Sequence, residues 1–493
     1  MNELEKVKDL IAENSYNEAK KELTKYISEG HENDLEVLKL MGLVNVNLQD
    51  YKSATTNFEK AIKISPKDAT ALFYLANCYD NLNRLSDAES YYIKVLEIRE
   101  NYIDAYKNLC IICMKTGKEN NAIEYAMKAK EIAPQDYTFD YLIGTAYVAL
   151  KIYNKGIEYL EAALALNPEH FQIYNNLGTA YLLVGSREKA IDCYKKAIKI
   201  RPKDAISYYN IGSIYQIQNK HEQACDYFEK AYHLDNQENY LISLALSELK
   251  SMQLEKAAKH YKALAILHPE KDSFQYNLAS CYELMRDFQS AINIMKLLLA
   301  RNPKSITMAQ KLANLYIETR NFRQAKDLYD SIILKASPSS EVLYQYAILS
   351  TQLYDTGTAE KIFKKVIKMN PENAVAHKDL GVIYLNQRLF DYAEDEFRIA
   401  MELAPNDFDI IFEYANYLYS VSKYQEADKY YDKALNIFKA LLEKNSENIS
   451  LLLNEAKCYE KMNETNKALE VLDKLTDIFP ECEEAHEIIR RIS

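Results

Sequence analysis

The residues of this chain whose types and spacing could do chemistry are few. Cys110 and Cys113 form a CxxC, the spacing of a dithiol redox pair or of half a zinc site. A metal set would need a second CxxC or a nearby pair of His. Neither occurs, and the eight His are scattered without ligand spacing. No HExxH and no glycine-rich phosphate loop is found. Asp and Glu number 72 against 61 Lys and Arg. They are spread as on solvated helix faces, and none stands in an apolar setting that would raise its pKa. The expectation is no catalytic set, no metal and no cofactor: a protein that is not an enzyme.

An uncharged set is more regular. Asn108, Asn176, Asn210, Asn277 and Asn454 share a column of thirteen positions with Leu40, Tyr74, Leu142, Ser243, Lys311, Gln345, Asp379 and Glu413. With 38 Asn in 493 residues, composition alone would place about one Asn there. An Asn amide carries both a donor and an acceptor, the complement of a peptide unit's C=O and N–H. Tyr adds rigid apolar area with a polar tip. Chemistry of this kind is recognition.

A period of 34 residues positions that column. Pro134, Pro168 and Pro202 are 34 apart, as are Pro269 and Pro303, and Pro371 and Pro405. Small residues run through Ala54, Ala88, Ala122, Gly156, Ala190 and Ala224, then from Ala257 through Ala291, Ala325, Ala359 and Ala393 to Ala427, every step 34 except one of 33. Twelve residues upstream runs a second small column, including Gly42, Ala76, Cys110, Gly144, Gly178, Gly212, Ala245 and Gly381. The Asn column lies two residues before it. Cys110 therefore stands at a small-residue site and Cys113 at a site that is Tyr in other periods (Tyr79, Tyr147, Tyr181), so the CxxC reads as core packing.

Each period reads as two helices. In residues 171–204, Tyr174, Leu177 and Tyr181 keep helical spacing, Gly185 breaks the run, and Ile191, Tyr194 and Ile198 mark a second helix before Pro202. One such pair cannot bury its apolar face without neighbours. Composition agrees: 10 Gly and 10 Pro are too few for turn-rich sheet domains, and 48% hydrophobic residues exclude disorder.

These columns resemble the tetratricopeptide repeat family. Gly178, Tyr181, Ala190, Tyr194, Ala197 and Pro202 reproduce its signature in one unit; Gly381, Tyr384, Ala393, Phe397, Ala400 and Pro405 do so in another. The early Trp the family often carries is replaced by Leu38, Leu72, Tyr106, Tyr174, Tyr208 and Leu241. The resemblance implies an all-α fold, a right-handed α-solenoid superhelix of about 14 helix-turn-helix tetratricopeptide repeats with a C-terminal capping helix. A single solenoid is expected over 1–493: an irregular first repeat at 1–34, regular repeats at 35–407, a repeat with a lengthened second helix at 408–448, a last repeat at 449–482 and the cap at 483–493. The lengthened repeat holds seven extra residues, nearly two helical turns, so its second helix is expected to run over 424–445 without losing its buried face.

The resemblance further implies that the first helix of each pair lines a concave side and binds ligand there. The peptide-binding groove expected on that side comprises Asn108, Tyr141, Thr145, Asn175, Asn176, Thr179, Tyr209, Asn210, Ser213, Ser243, Tyr276, Asn277 and Ser280. The lining is similar to the asparagine ladder in the tetratricopeptide half of O-GlcNAc transferases, interrupted here by Leu142 and Ser243. A clamp for chaperone C-termini would need Asn four residues after Lys, but Leu43, Ile111 and Val382 follow Lys39, Lys107 and Lys378.

The leading reading is a non-enzymatic scaffold that binds an extended polypeptide segment of a protein partner. One alternative is a substrate-recruiting or regulatory subunit of a separately encoded enzyme such as a glycosyltransferase. Another is self-association into a homo-oligomer through 424–445 or a terminal repeat. A net charge of −11 argues against nucleic acid or an anionic membrane surface as partner. No run approaches the roughly 20 apolar residues of a membrane span. MNELEKVKDLIAENSY has no signal-peptide core, and eight Cys without secretory features fit the cytoplasm.

Overall fold

The computed structural model describes residues 3–335, 337–442 and 448–492. Among the described residues every regular element is a helix, and no helix is long and apolar enough to cross a membrane. The chain forms two compact units, Met1–His260 and Tyr261–Ser493. Within each, helices that follow one another in sequence pack on one another.

A first helix of 13 residues and a second of 14 recur in both units: Ala69–Asn81 with Leu85–Ile98, Phe171–Leu183 with Arg187–Ile200, and Ala374–Asn386 with Phe390–Leu403. The passage from one pair to the next is set by side-chain capping. Two residues after the proline of the turn, Asp68 accepts from the Ala71 N–H, Asp204 from Ser207 and Asn373 from Ala376. Each such cap stabilises its helix by about 1 kcal/mol.

The turn inside each pair uses a different device. Seven residues after the second small column, a residue takes left-handed backbone: Asn83 (φ 58°), Gly117 (69°), Lys151 (62°), Gly185 (83°), Asn219 (58°), Tyr354 (59°) and Arg388 (61°). The next N–H then reaches back to the first helix, Arg84 to Tyr79 C=O at 2.8 Å and Ser186 to Tyr181 C=O at 2.9 Å. This closes the helix end in the manner of a Schellman motif.

The two small columns are where paired helices meet. A Cβ on Gly178 would lie 2.8 Å from the ring of Tyr194, which is 1% exposed. Gly42 makes the same space for Phe58 and Gly212 for Phe228. Burying a ring of this size stabilises by about 2–3 kcal/mol. In the pair Tyr137–Ala149 and Tyr153–Leu166, Gly144 and Gly156 face each other across the helix contact.

Three pairs depart from the pattern. The first consists of Glu3–Ala12 and Tyr16–Tyr26, prolonged by a wide turn at Ile27–His31 around Gly30 (φ 104°). The helix Phe322–Ser331 stops after 10 residues, and a 3-10 turn follows at Ile333–Lys335. Tyr424–Leu442 has 19 residues against the usual 14, and the added length keeps Phe438 buried. The end expected for it at 445 lies outside the described residues. The last helix, Glu483–Ile492, packs on Thr465–Ile478 and buries Ala485 and Ile488.

Candidate functional site

In the first unit, successive first helices pack directly on each other: Leu35–Asn47 on Ala69–Asn81, Ile103–Lys115 on Tyr137–Ala149, Tyr137–Ala149 on Phe171–Leu183, and Ala205–Ile217 on Glu238–Lys250. Second helices of successive pairs do not meet to the same extent. The first helices therefore lie nearer one another than the second helices do, and their partly exposed side chains form a track.

Ten of the expected groove residues stand on this track: Asn108, Tyr141, Thr145, Asn175, Asn176, Thr179, Tyr209, Asn210, Ser213 and Ser243, each partly exposed. Tyr276, Asn277 and Ser280, also partly exposed, belong to the second unit. Several are tied to one another between repeats. Asn176 Nδ2 donates to Thr145 Oγ1 at 2.9 Å and to Tyr141 Oη at 3.2 Å. Asn108 Nδ2 donates to Asn77 Oδ1 at 2.9 Å and to Tyr92 Oη at 3.1 Å. Asn210 and Asn277 make no side-chain hydrogen bond among the described residues.

Asn175 differs from its neighbours. Its Nδ2 donates to Asp204 Oδ2 at 2.8 Å and its Oδ1 accepts from the Ser207 hydroxyl. The same register holds Lys39 against Asp68 at 2.8 Å and Lys107 against Asp136 at 2.9 Å. The position three before the small column is thus a latch onto the cap of the next first helix. Lys39 and Lys107 are neutralised in it.

Sequence reasoning missed a second set of bonds. Tyr92 donates to Asn77, Tyr431 to Asn416 at 2.7 Å, and Tyr194 meets Thr179 at 3.0 Å. The readable signal is Tyr in place of Phe four residues after Ala88, Ala427 and Ala190; Phe58, Phe228 and Phe363 occupy the same position elsewhere.

The expectation that no carboxylate sits in an apolar setting is corrected. Burial pushes Glu413 and Glu455 above the ordinary carboxylate range. Glu455 stands beside Leu452, Tyr459 and Val471, with Lys467, Glu470 and Lys474 of the next helix lining the same cleft. Near Glu413, Lys378 pairs with Asp379 at 3.0 Å, and Tyr344 donates to Asp379 at 2.7 Å. These groups follow from helix packing and assemble no nucleophile with a base. The CxxC thiols are fully buried, and burial pushes Cys110 up to about 12 and Cys113 up to about 11. Among the described residues no group of three or more His, Cys, Asp or Glu is placed to hold a metal ion.

Two clefts lie at turns between helices. One of about 500 Å³ is lined by Ile449, Phe479, Pro480 and Cys482, and one of about 480 Å³ by Asn219–Gln223, Lys250 and Ser251. An open polar track suits a chain-like ligand better than a small molecule.

The fold defines a helix-pair repeat protein. Family profiles described as "Tetratricopeptide repeat" match residues 48–110, 104–136, 141–170, 171–204, 193–226, 242–306, 284–345, 355–408 and 426–492. The chain belongs to the tetratricopeptide repeat family. It is 21% identical over 227 residues to the BBSome complex member BBS4 homolog of Drosophila melanogaster, covering 46% of this chain and 45% of that protein. It is 24% identical over 197 residues to Tetratricopeptide repeat protein 21A of Mus musculus, covering 38% and 14%. The chain thus spans less than half the length of either relative. Among solved structures, MamA is 28% identical over 33% of this chain and 95% of that one, with a TM-score of 0.31.

Proposed function

We propose that this chain is a non-enzymatic protein–protein interaction scaffold that holds an extended polypeptide segment along the first-helix track of residues 103–250. The observation that carries the reading is Asn210. Its amide is partly exposed and unengaged, between the partly exposed Tyr209 and Ser213, in register with Asn176 one repeat earlier. Its donor and acceptor can meet one peptide unit without reading its side chain. The first relative above is, by its name, a member of a complex, and scaffolding within a multiprotein assembly is the role this track supports. Eight free cysteines fit a reducing compartment such as the cytoplasm.

Two single variants test the reading. Asn210→Ala should weaken capture of peptide ligands roughly tenfold, the loss of about 1.4 kcal/mol, while leaving helicity and melting unchanged. Asn176→Ala should weaken capture and also lower local stability, because it removes the bonds to Thr145 and Tyr141. Undiminished capture by Asn210→Ala in a pull-down refutes the groove.

A further inference from the structure

Several side chains on the track of the first unit spend their hydrogen-bond donors within the fold and keep acceptor capacity open. Thr145 donates to Tyr141 C=O at 2.7 Å, Thr179 to Asn175 C=O at 3.0 Å and Ser213 to Tyr209 C=O at 2.9 Å. A hydroxyl has one proton and two lone pairs, so each keeps a lone pair free, Thr145 having given one to Asn176 and Thr179 one to Tyr194. The two N–H groups of Asn108 go to Asn77 and Tyr92, and those of Asn176 to Thr145 and Tyr141. The Asn176 orientation is fixed, because the Thr145 proton is held by Tyr141 C=O and Thr145 Oγ1 accepts. Asn108 Oδ1 and Asn176 Oδ1 have no partner among the described residues. Asn210 alone of the three keeps a free amide donor.

A negative charge lies under the same stretch. Asp204 is 7% exposed and, among the described residues, is held by neutral donors: Asn175 Nδ2 and the Ser207 N–H, with the one Ser207 hydroxyl proton shared between it and Asn175 Oδ1. Its counterparts Asp68 and Asp136 each have a lysine, Lys39 and Lys107, in the place of Asn175. The latch at Asn175 therefore leaves a buried carboxylate uncompensated beside a row of open oxygens.

We propose that the segment held on this track is basic, its Arg guanidinium or Lys ammonium groups donating to Asn108, Thr145 and Asn176 under the field of Asp204. This rests on the groove reading above and names the chemistry of its occupant. A guanidinium carries five donors and no acceptor, the complement of such a surface. The side chains of an acidic or phosphorylated segment bring only acceptors and like charge, and are disfavoured on both counts.

The test uses the full chain and three labelled peptides of equal length: alternating Arg and Ala, Gln and Ala, and Glu and Ala. Anisotropy titrations should rank Arg–Ala first, Gln–Ala roughly tenfold weaker and Glu–Ala weaker still, with the Arg–Ala affinity falling as salt is added. Asn175→Lys restores the latch seen at Lys107 and neutralises Asp204. It should cost Arg–Ala roughly tenfold and leave Gln–Ala unchanged. Should Asn175→Lys fail to fold, Asn210→Lys, which loses no hydrogen bond, should weaken both peptides as Asn210→Ala does and cost Arg–Ala roughly tenfold more than Gln–Ala. Equal or tighter binding of Glu–Ala overturns the proposal, as does an Arg preference untouched by both lysine variants. If all three peptides bind alike and Asn210→Ala weakens all three, the groove stands and its basic occupant falls. If no binding responds to Asn210→Ala, groove and occupant fall together.

Discussion

Replacing Gly144 by Ala tests whether the small columns exist for close helix approach. A Cβ at Gly144 would sit 2.8 Å from Leu160 Cγ, 3.0 Å from Gly156 O and 3.0 Å from Leu160 N. Two of those atoms are backbone, so no rotamer change relieves them and the helices Tyr137–Ala149 and Tyr153–Leu166 must separate. Overpacking of this sort costs about 1–3 kcal/mol. Ala in place of Gly in a helix interior returns about 0.5–1 kcal/mol. The net expectation is a loss of about 1–2 kcal/mol, a factor of about 5–30 in local opening. Two other glycines calibrate it. At Gly381 the nearest atoms to the added methyl are all of the Phe397 ring, at 3.1 Å, and a side-chain ring can tilt, so Gly381→Ala should stay within about 0.5 kcal/mol of the parent. At Gly357 nothing lies within 4 Å, so Gly357→Ala should stabilise by about 0.5 kcal/mol. Repeat arrays open locally, so amide exchange over residues 137–166 and 374–403 is the fitting assay, with circular dichroism melts beside it. Gly144→Ala as stable as Gly357→Ala would refute the close-approach argument.

Two further outcomes follow from burial. His377 is 5% exposed, with Nδ1 on Glu396 and Nε2 on Pro371 C=O at 3.1 Å. Two acceptors require both ring nitrogens to carry protons, and the hydrogen bond to Glu396 raises the pKa above 6.5 against the opposing effect of burial. A raised folded pKa means the stabilisation is complete below the unfolded value and is lost as pH rises through the folded one. Protection of residues 374–386 should accordingly be weaker at about pH 8.5 than at about pH 5.5 after correction for intrinsic exchange, and His377→Gln should flatten the difference. Equal protection at both pH values in the parent chain would sink this. For the thiols, native Cys110 and Cys113 should resist alkylation that modifies the part-exposed Cys482. Mass spectrometry of intact and denatured protein checks it, and rapid native labelling of the CxxC would contradict its place in the core.

Periodicity made the repeating fold legible because helix pairing acts through residue size at fixed spacing. Gly178 and Ala190 must be small wherever two helices touch, and Tyr194 must be large wherever a gap is to be filled. The same logic placed Cys110 and Cys113 in the core. The left-handed residue between paired helices escaped notice for the opposite reason. Only Gly117 and Gly185 mark it among residues such as Lys151, Tyr354 and Arg388, since the constraint falls on backbone angle and many side chains tolerate it at modest cost.

At the track, the sequence by itself determined which residues share one helix face, because 34-residue spacing and helical geometry fix that without coordinates. It did not determine which of their polar atoms are free. Asn175 and Asn176 are adjacent and chemically identical, yet one is bound at both ends to Asp204 and Ser207 and the other keeps an open oxygen. Hydrogen-bond occupancy depends on the repeat before and the repeat after, through atoms 29 to 35 residues away. Only the packing of successive pairs decides it, and with it the kind of ligand the track can accept.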